Sequence, residues 1–193
     1  MLEVGGGEGE LAARLLHELG AEVIGIDQSE AMVDEQRAKG LDARVGDVQQ
    51  LPFGDHEFDV AVAAWMLYHV PDLDHGLAEL ARVLKIDGRL VAVTNALDHL
   101  QELWDLAQRE TALRRFTFRS DNGEELLRRH FEHVEGRDAH GWVTMDDAAI
   151  RRFADSWDAL GSLVRMPPLG EPVRVRRHST LFVASRPRAA ASS

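Results

Sequence analysis

The sequence predicts an α/β protein on a doubly wound parallel sheet, and three observations carry that reading. Residues 3–9 read Glu-Val-Gly-Gly-Gly-Glu-Gly, so a short apolar strand enters a glycine turn that opens a helix. Apolar strand-like runs and segments of helical period then alternate through the amino-terminal half. Acids stand at or just beyond the ends of the first three strands, at Glu3, Asp27 and Asp47. Glycine permits positive φ and lets a ligand lie against bare backbone. A helix opening there aims its free N–H groups and positive dipole end at that gap, which suits a polar or anionic nucleotide-like group.

Each element follows from local pattern. The first strand has only residues 1–4 before the glycines, and Leu11, Leu15 and Leu19 recur at helical spacing until Gly20. Residues 21–26 read as a buried strand ending in Asp27, which is placed either to accept hydrogen bonds from ribose hydroxyls or to cap the next helix. Ser29 is the better cap for a helix over 30–39. A third strand at 42–45 leads to Asp47, and a fourth at 58–64 leads to Trp65. Asp72 begins a helix with Leu77, Leu80, Ala81 and Leu84 on one face, closed by Asp87 and Gly88, and residues 89–94 supply strand five. Beyond it the pattern predicts helices over 98–113, 121–131 and 146–160, strands over 133–143 and 172–185, and a loop at 166–170. Residues 1–185 thus read as one domain and 186–193 as a disordered tail.

The glycine spacing separates two nucleotide-binding patterns. A dinucleotide fingerprint starting at Gly5 and Gly7 would need a third glycine at position 10, which is Glu10. Acid-x-Gly-x-Gly-x-Gly, with Glu3 in front of Gly5, Gly7 and Gly9, instead resembles motif I of the class I S-adenosylmethionine-dependent methyltransferases. The stretch from Asp27 to Met32 and the segment around Asp47 are similar to that family's following motifs. The resemblance implies a seven-stranded Rossmann-like sheet of order 3-2-1-4-5-7-6 with strand 7 antiparallel. It implies S-adenosylmethionine as cofactor, cradled by Glu3, Gly5, Gly6 and Gly7, with Asp27 and Gln28 beside the ribose. Met32 would pack on the adenine, Asp47 and Val48 would meet its edge, and Ala63 and Ala64 would offer carbonyls to the methionyl amino group. Ordinary core packing for Met32 and a solvated turn for Asp47 are the alternatives.

The implied reaction is methyl transfer to O, N or C of a small organic acceptor. Its cofactor is already an electrophile, so the protein mainly holds a nucleophile in line and excludes water. A general base is needed only if the acceptor must lose a proton, and His69, Tyr68 and His99 lie beyond strands four and five where an acceptor would enter. A packing role is the alternative for each. Asp98, Asp138 and Asp146 are available as metal ligands, but their spacing singles out no metal site, and none is expected.

Composition narrows the classes. The 193 residues contain no cysteine, which closes routes through a thiolate nucleophile, a radical cluster or a thiolate zinc site. The net charge is −11, and residues 1–100 carry 19 acids against 7 bases, which disfavours nucleic acid as partner. With no apolar run of membrane length and no signal-peptide pattern, a cytoplasmic protein is expected, with no membrane partner. A homodimer is the assembly to consider, although nothing in the pattern fixes it.

Two other functions share part of this pattern. An NAD-dependent oxidoreductase would share the turn and Asp27, but its fingerprint is broken at Glu10 and Tyr68, the lone tyrosine, has no lysine four residues on. A cofactor-binding module without turnover is the second alternative. It draws on a further departure from the resembling family, in which helices precede strand one, whereas here Met1 already lies within that strand and the start reads as truncated.

Overall fold

The computed structural model describes residues 1–108, 111–155 and 169–188. Its elements are β1 (Leu2–Val4), α1 (Glu10–Leu19), β2 (Ile24–Asp27), α2 (Glu30–Ala38), β3 (Asp42–Val45), β4 (Phe58–Ala64), α3 (Leu73–Val83) and β5 (Leu84–Asn95). They continue with α4 (Gln101–Leu106), α5 (Gly123–Arg128), β6 (Phe131–Met145), α6 (Asp147–Asp155) and β7 (Val173–Pro187). Short 3-10 turns occupy Leu67–His69 and Ala112–Arg115. The strands form one seven-stranded sheet of order β3-β2-β1-β4-β5-β7-β6, as expected. β1 to β5 run parallel, and β7 is antiparallel to both neighbours.

Central burial follows from the apolar runs. Leu2, Val4, Ile26, Ala61, Ala63, Leu90 and Ala92 are all buried, as strands covered on both faces require. α3 adds Leu77, Leu80 and Ala81, and the carboxyl half adds Phe118, Phe131 and Phe182 to the same core. A second cluster, in which Leu103, Trp104, Ile150 and Val175 are buried, lies under α4 and α6. Among the described residues no helix is long and apolar enough to cross a membrane.

Several boundaries differ from the sequence pattern for identifiable reasons. β2 starts at Ile24, because Gly20 and Ala21 fold back to donate to Leu16 and Leu15 carbonyls and use up the first residues of the run. α3 stops at Val83 rather than near Asp87: Leu84 turns extended and pairs with Phe58, and the register then shifts before Val60 meets Arg89. Lys85 clamps this irregular stretch through an ion pair to Asp59 at 2.8 Å.

The helix expected over 98–113 begins only at Gln101. Ala96 N–H donates to the His178 carbonyl and Leu100 N–H to the Arg176 carbonyl, while His99 N–H donates to the Ala96 carbonyl, so 97–100 form a turn held against β7 before the helix starts. Tertiary pairing overrides helical period there. The helix expected over 121–131 covers only Gly123–Arg128, and α6 ends within the described residues at Asp155. Residues 156–160 and 166–168, which complete the expected helix and loop, lie outside the described residues. β6 and β7 are longer than expected, each 15 residues, and their register runs from Phe131 opposite Pro187 to Met145 opposite Val173. Arg186 and Pro187 therefore belong to β7, and Arg188 N–H donates to the His130 carbonyl; the remainder of the expected tail, 189–193, lies outside the described residues. β7 pairs with β5 only from Ser179 to Ser185, so the β6–β7 ribbon overhangs the sheet past Asn95. That overhang brings the 96–100 segment and α6 to the carboxyl ends of the strands.

Candidate functional site

The turn after β1 is shaped by its glycines. Gly5, Gly7 and Gly9 have φ of +63°, +55° and +77°, in the left-handed region that other L-residues avoid. A Cβ on Gly5 would stand 2.7 Å from Met66 Cβ, so that position is needed for close packing. A Cβ on Gly7 would meet nothing within 4 Å, so that position faces open space.

The side chains of Asp27 and Gln36 lock the turn. Asp27 Oδ2 accepts from Gly7 N–H at 3.0 Å and its Oδ1 accepts from Ser29 N–H at 2.9 Å. Ser29 itself caps α2 through Met32 N–H. Gln36, fully buried on α2, donates from Nε2 to the Gly7 carbonyl at 2.8 Å. Local pattern does not single out Gln36; its only signal is a polar residue three positions after Val33 on the buried stripe of α2.

Glu3 lies beneath the turn, 2% exposed, with Oε2 buried and without a hydrogen-bond partner. Burial pushes its carboxyl up to about 7, against a bond from the Ala12 backbone that pulls it down and with a further upward push from Asp27. A buried carboxylate oxygen lacking a donor is costly unless something satisfies it.

A cavity of about 300 Å³ opens at the carboxyl ends of β1, β2 and β4, lined by Gly5, Asp27, Gln28, Val48, Trp65 and His69 among others. Open α/β sheets bind ligands at that end. A cavity of about 490 Å³ at Met1, Asp42 and Asp59 sits at the opposite, amino ends of the strands. Of the residues expected at the site, Gly5, Asp27, Gln28 and Val48 line the smaller cavity directly. Glu3, Gly6 and Gly7 lie under or beside it: a Cβ on Gly6 would stand 2.6 Å from Glu3 Oε2.

Asp47 is half-buried and tied to Gln49, whose backbone N–H donates to Oδ1 at 2.8 Å and whose amide donates to Oδ2 at 3.0 Å. Those bonds, the backbone one first, hold its carboxyl below the usual range, and Gln28 contributes in the same direction. Met32 is half-buried on the first turn of α2 and is not among the cavity's lining residues. Ala63 is fully buried and Ala64 half-buried in β4, and the cavity wall at that strand's end is formed by Trp65 and Met66 instead.

Trp65 and His69 form a wall shared with a second cavity of about 370 Å³, lined by Trp65, Tyr68, His69, Asn95, His99, Phe116 and Phe153. The three residues singled out beyond strands four and five, Tyr68, His69 and His99, thus meet in one space. Trp65 takes a left-handed φ of +54°, rare for a bulky residue, and its indole N–H donates to Asn95 Oδ1 at 3.1 Å. Tyr68 stacks on Phe116 at 4.2 Å between ring centroids, and burial pushes its phenol up to about 12. His69 is exposed in the 3-10 turn. His99 Nδ1 lies 3.0 Å from the His178 carbonyl and 3.1 Å from the His178 N–H, so its tautomer decides which bond forms. Burial lowers the His99 pKa, so the ring is neutral at pH 7, and Nε2 is the nitrogen left for a ligand.

The sheet order, the glycine turn and the acid-tipped strands together define a class I S-adenosylmethionine-dependent methyltransferase fold. Residues 2–92 match the model of a methyltransferase domain family. Methyltransferase GfsG of Streptomyces halstedii is 38% identical over 110 residues, covering 51% of this chain and 40% of the relative. The ubiquinone/menaquinone biosynthesis C-methyltransferase UbiE of Dinoroseobacter shibae is 38% identical over 102 residues, covering 48% and 41%. The chain thus matches about two fifths of the length of these curated relatives. Among solved structures, the BH2331 protein of Bacillus halodurans superposes with a TM-score of 0.68 at 20% identity, covering 97% of this chain and 92% of that one, which establishes the fold.

S-adenosylmethionine is the cofactor of this class, and the residues present fit it. The open space over Gly7 admits a ligand against the backbone, and the orphaned oxygen of Glu3 offers a buried acceptor next to the turn.

Proposed function

We propose that this chain transfers a methyl group from S-adenosylmethionine to an O, N or C atom of a small organic acceptor. The observation that carries the reading is the shared Trp65–His69 wall. It joins a cavity at the glycine turn to a second one with aromatic sides, a layout suited to a cofactor and an acceptor meeting at that wall.

Bound there, S-adenosylmethionine supplies a methyl group on an electrophilic sulfonium. The chain's own residues then divide the remaining work. Gly5, Gly6 and Gly7 present bare backbone, Asp27 and Gln28 would hold the ribose, and Asp47 and Val48 the base, while Glu3 would set the charge beneath the turn. Met32 would have to reach the base from behind the cavity wall on α2, and Ala63 and Ala64 would offer their β4 carbonyls to the methionyl end from behind Trp65 and Met66. The stacked pair Tyr68 and Phe116, with Trp65 and Phe153, favours a flat, largely apolar acceptor.

Where the acceptor must release a proton, a neutral His99 whose Nδ1–H donates to the His178 carbonyl can take it at Nε2. The Tyr68 phenol, pushed up to about 12, stays protonated and can only donate. Proximity of acceptor and methyl alone is worth roughly 7–11 kcal/mol of barrier.

The test is calorimetric titration with S-adenosylhomocysteine, followed by incubation with S-adenosylmethionine and a panel of phenols, hydroquinones and aryl amines, reading S-adenosylhomocysteine release. Micromolar-scale binding and acceptor-dependent release support the proposal. Absence of binding by correctly folded protein overturns it.

A further inference from the structure

The β6–β7 register sets His140 directly opposite His178 and Asp138 opposite Thr180 on the overhanging ribbon. Among the described residues, Asp138, His140 and His178 form the one group of three whose ligand atoms all lie within 4.8 Å of one another. The two imidazole rings are 4.0 Å apart between centroids. We propose that these three side chains bind a divalent transition-metal cation, of which Zn²⁺ is the best match, and that Asp98 orients His178 for it.

His178 is what separates this group from a chance gathering of surface residues. Its Nδ1 is held by Asp98 Oδ1 at 2.6 Å, and its other nitrogen, Nε2, is buried and has no hydrogen-bond partner. Nε2 points toward Asp138, 3.8 Å from Oδ1. A carboxylate on one ring nitrogen, with the other nitrogen aimed at a cation, is the arrangement by which proteins fix the tautomer and raise the basicity of a metal-binding histidine. Asp138 is itself steadied, accepting from Thr180 Oγ1 at 2.6 Å.

Two imidazoles and a carboxylate suit Zn²⁺ by ligand type and leave a fourth position for water. Bonds of about 2.0–2.1 Å in a tetrahedron place ligand atoms about 3.3 Å apart, so the group must contract. His140 is exposed and can turn inward, while His178, held by Asp98, and Asp138, held by Thr180, supply the fixed points. Arg176 is the nearby opposing charge, but its guanidinium sits on Asp98 Oδ2 at 2.9 Å, on the far oxygen of the orienting carboxylate.

The cation would pin the overhang. Asp98 belongs to the 96–100 segment, and the His178 backbone receives Ala96 N–H and contacts His99, so one ion would clamp the ribbon to the segment carrying an acceptor-cavity residue.

The test uses the full chain stripped with chelator and titrated with ZnCl₂ by calorimetry, with Co²⁺ visible absorption as a second readout. The parent is expected to bind one cation and to melt at higher temperature with zinc than without. His140→Ala and Asp138→Ala, both at exposed positions, should weaken binding at least tenfold and abolish the melting shift. Asp98→Asn should weaken it by about 10–100-fold. His133→Ala, another exposed histidine on β6, should change nothing. If the stripped parent binds no zinc, or His140→Ala and Asp138→Ala bind it as the parent does, the proposal fails, and His178 then serves only as the hydrogen-bond partner of Asp98.

Discussion

Gly7 donates its backbone N–H to Asp27 Oδ2 at 3.0 Å, which makes the glycine turn after β1 and the tip of β2 one hydrogen-bonded unit. Asp27 accepts a second backbone N–H, from Ser29, through its other oxygen. Asn at this position keeps the shape but has only one acceptor oxygen, so one of the two donors faces an amide N–H. Bonds to a charged acceptor are worth about 1.5–3 kcal/mol. Asp27→Asn is therefore expected to weaken S-adenosylhomocysteine binding at least tenfold by calorimetry. Affinity equal to the parent would remove Asp27 from the site.

Gly5 and Gly7 share a left-handed backbone but should respond differently to alanine. At Gly5 the added Cβ would stand 2.7 Å from Met66 Cβ with φ at +63°, so Gly5→Ala combines backbone strain with a clash in the core. At Gly7 the added Cβ meets nothing, and only the left-handed backbone opposes it, at about 1–2 kcal/mol. Urea unfolding should show Gly5→Ala as the less stable of the two. Gly7→Ala should fold and still bind cofactor poorly, because its methyl group enters the space a ligand would use. A Gly7→Ala protein with undiminished affinity would mean that no ligand lies over that residue.

Glu3 makes the stability of the ligand-free protein depend on pH in a defined sense. Its carboxyl is raised from an ordinary 4.5 to about 7 in the fold, by burial first. Between those values the native state holds a proton that the unfolded chain has released. Stability therefore falls as pH rises from about 4.5, and the loss is complete above about 7. The full effect is on the order of 3 kcal/mol, since each tenfold change in proton affinity is worth about 1.36 kcal/mol. Glu3→Gln carries no ionisable group and should flatten this slope, gaining over the parent in urea unfolding at pH 8 and not at pH 4. An unchanged slope would assign the pH dependence elsewhere.

What the sequence revealed and what it hid divide along a physical line. Strands 42–45 and 58–64 were legible to the residue, the second as an apolar run and the first, Asp-Ala-Arg-Val, by the glycines at 40 and 46 that bound it. The glycines were legible because few other residues suit a left-handed backbone, and Asp27 because an acid closes the apolar run of strand two. Gln36, the Trp65–Asn95 bond and the Asp98–His178 pair were not, since each depends on contacts between residues 29 to 80 positions apart. The same cause shortened the helix expected over 98–113: its first residues are held by β7, some 80 positions away, and no local period reports that. His140 and His178 look like unrelated histidines in the chain, and only the antiparallel register sets them side by side.

Trp65 offers a direct optical check on the two-cavity arrangement. Its indole N–H donates to Asn95 Oδ1 at 3.1 Å, and the same oxygen accepts from Ser179 Oγ at 3.0 Å, so the tip of β4 is tied to β5 and β7 through one amide. The ring is 46% exposed and walls both cavities, whereas Trp104 is 1% exposed in the second cluster and lines neither. Cofactor binding should therefore change tryptophan emission, and Trp65→Phe should remove most of that change. Asn95→Ala frees the indole and leaves Ser179 without its acceptor. Because these groups are part-exposed, the stability cost should stay near about 1 kcal/mol. Cofactor affinity should shift less than threefold, while KM for an acceptor rises by more. A loss of cofactor binding as large as the loss in acceptor KM would show that Asn95 serves the first cavity and not the second.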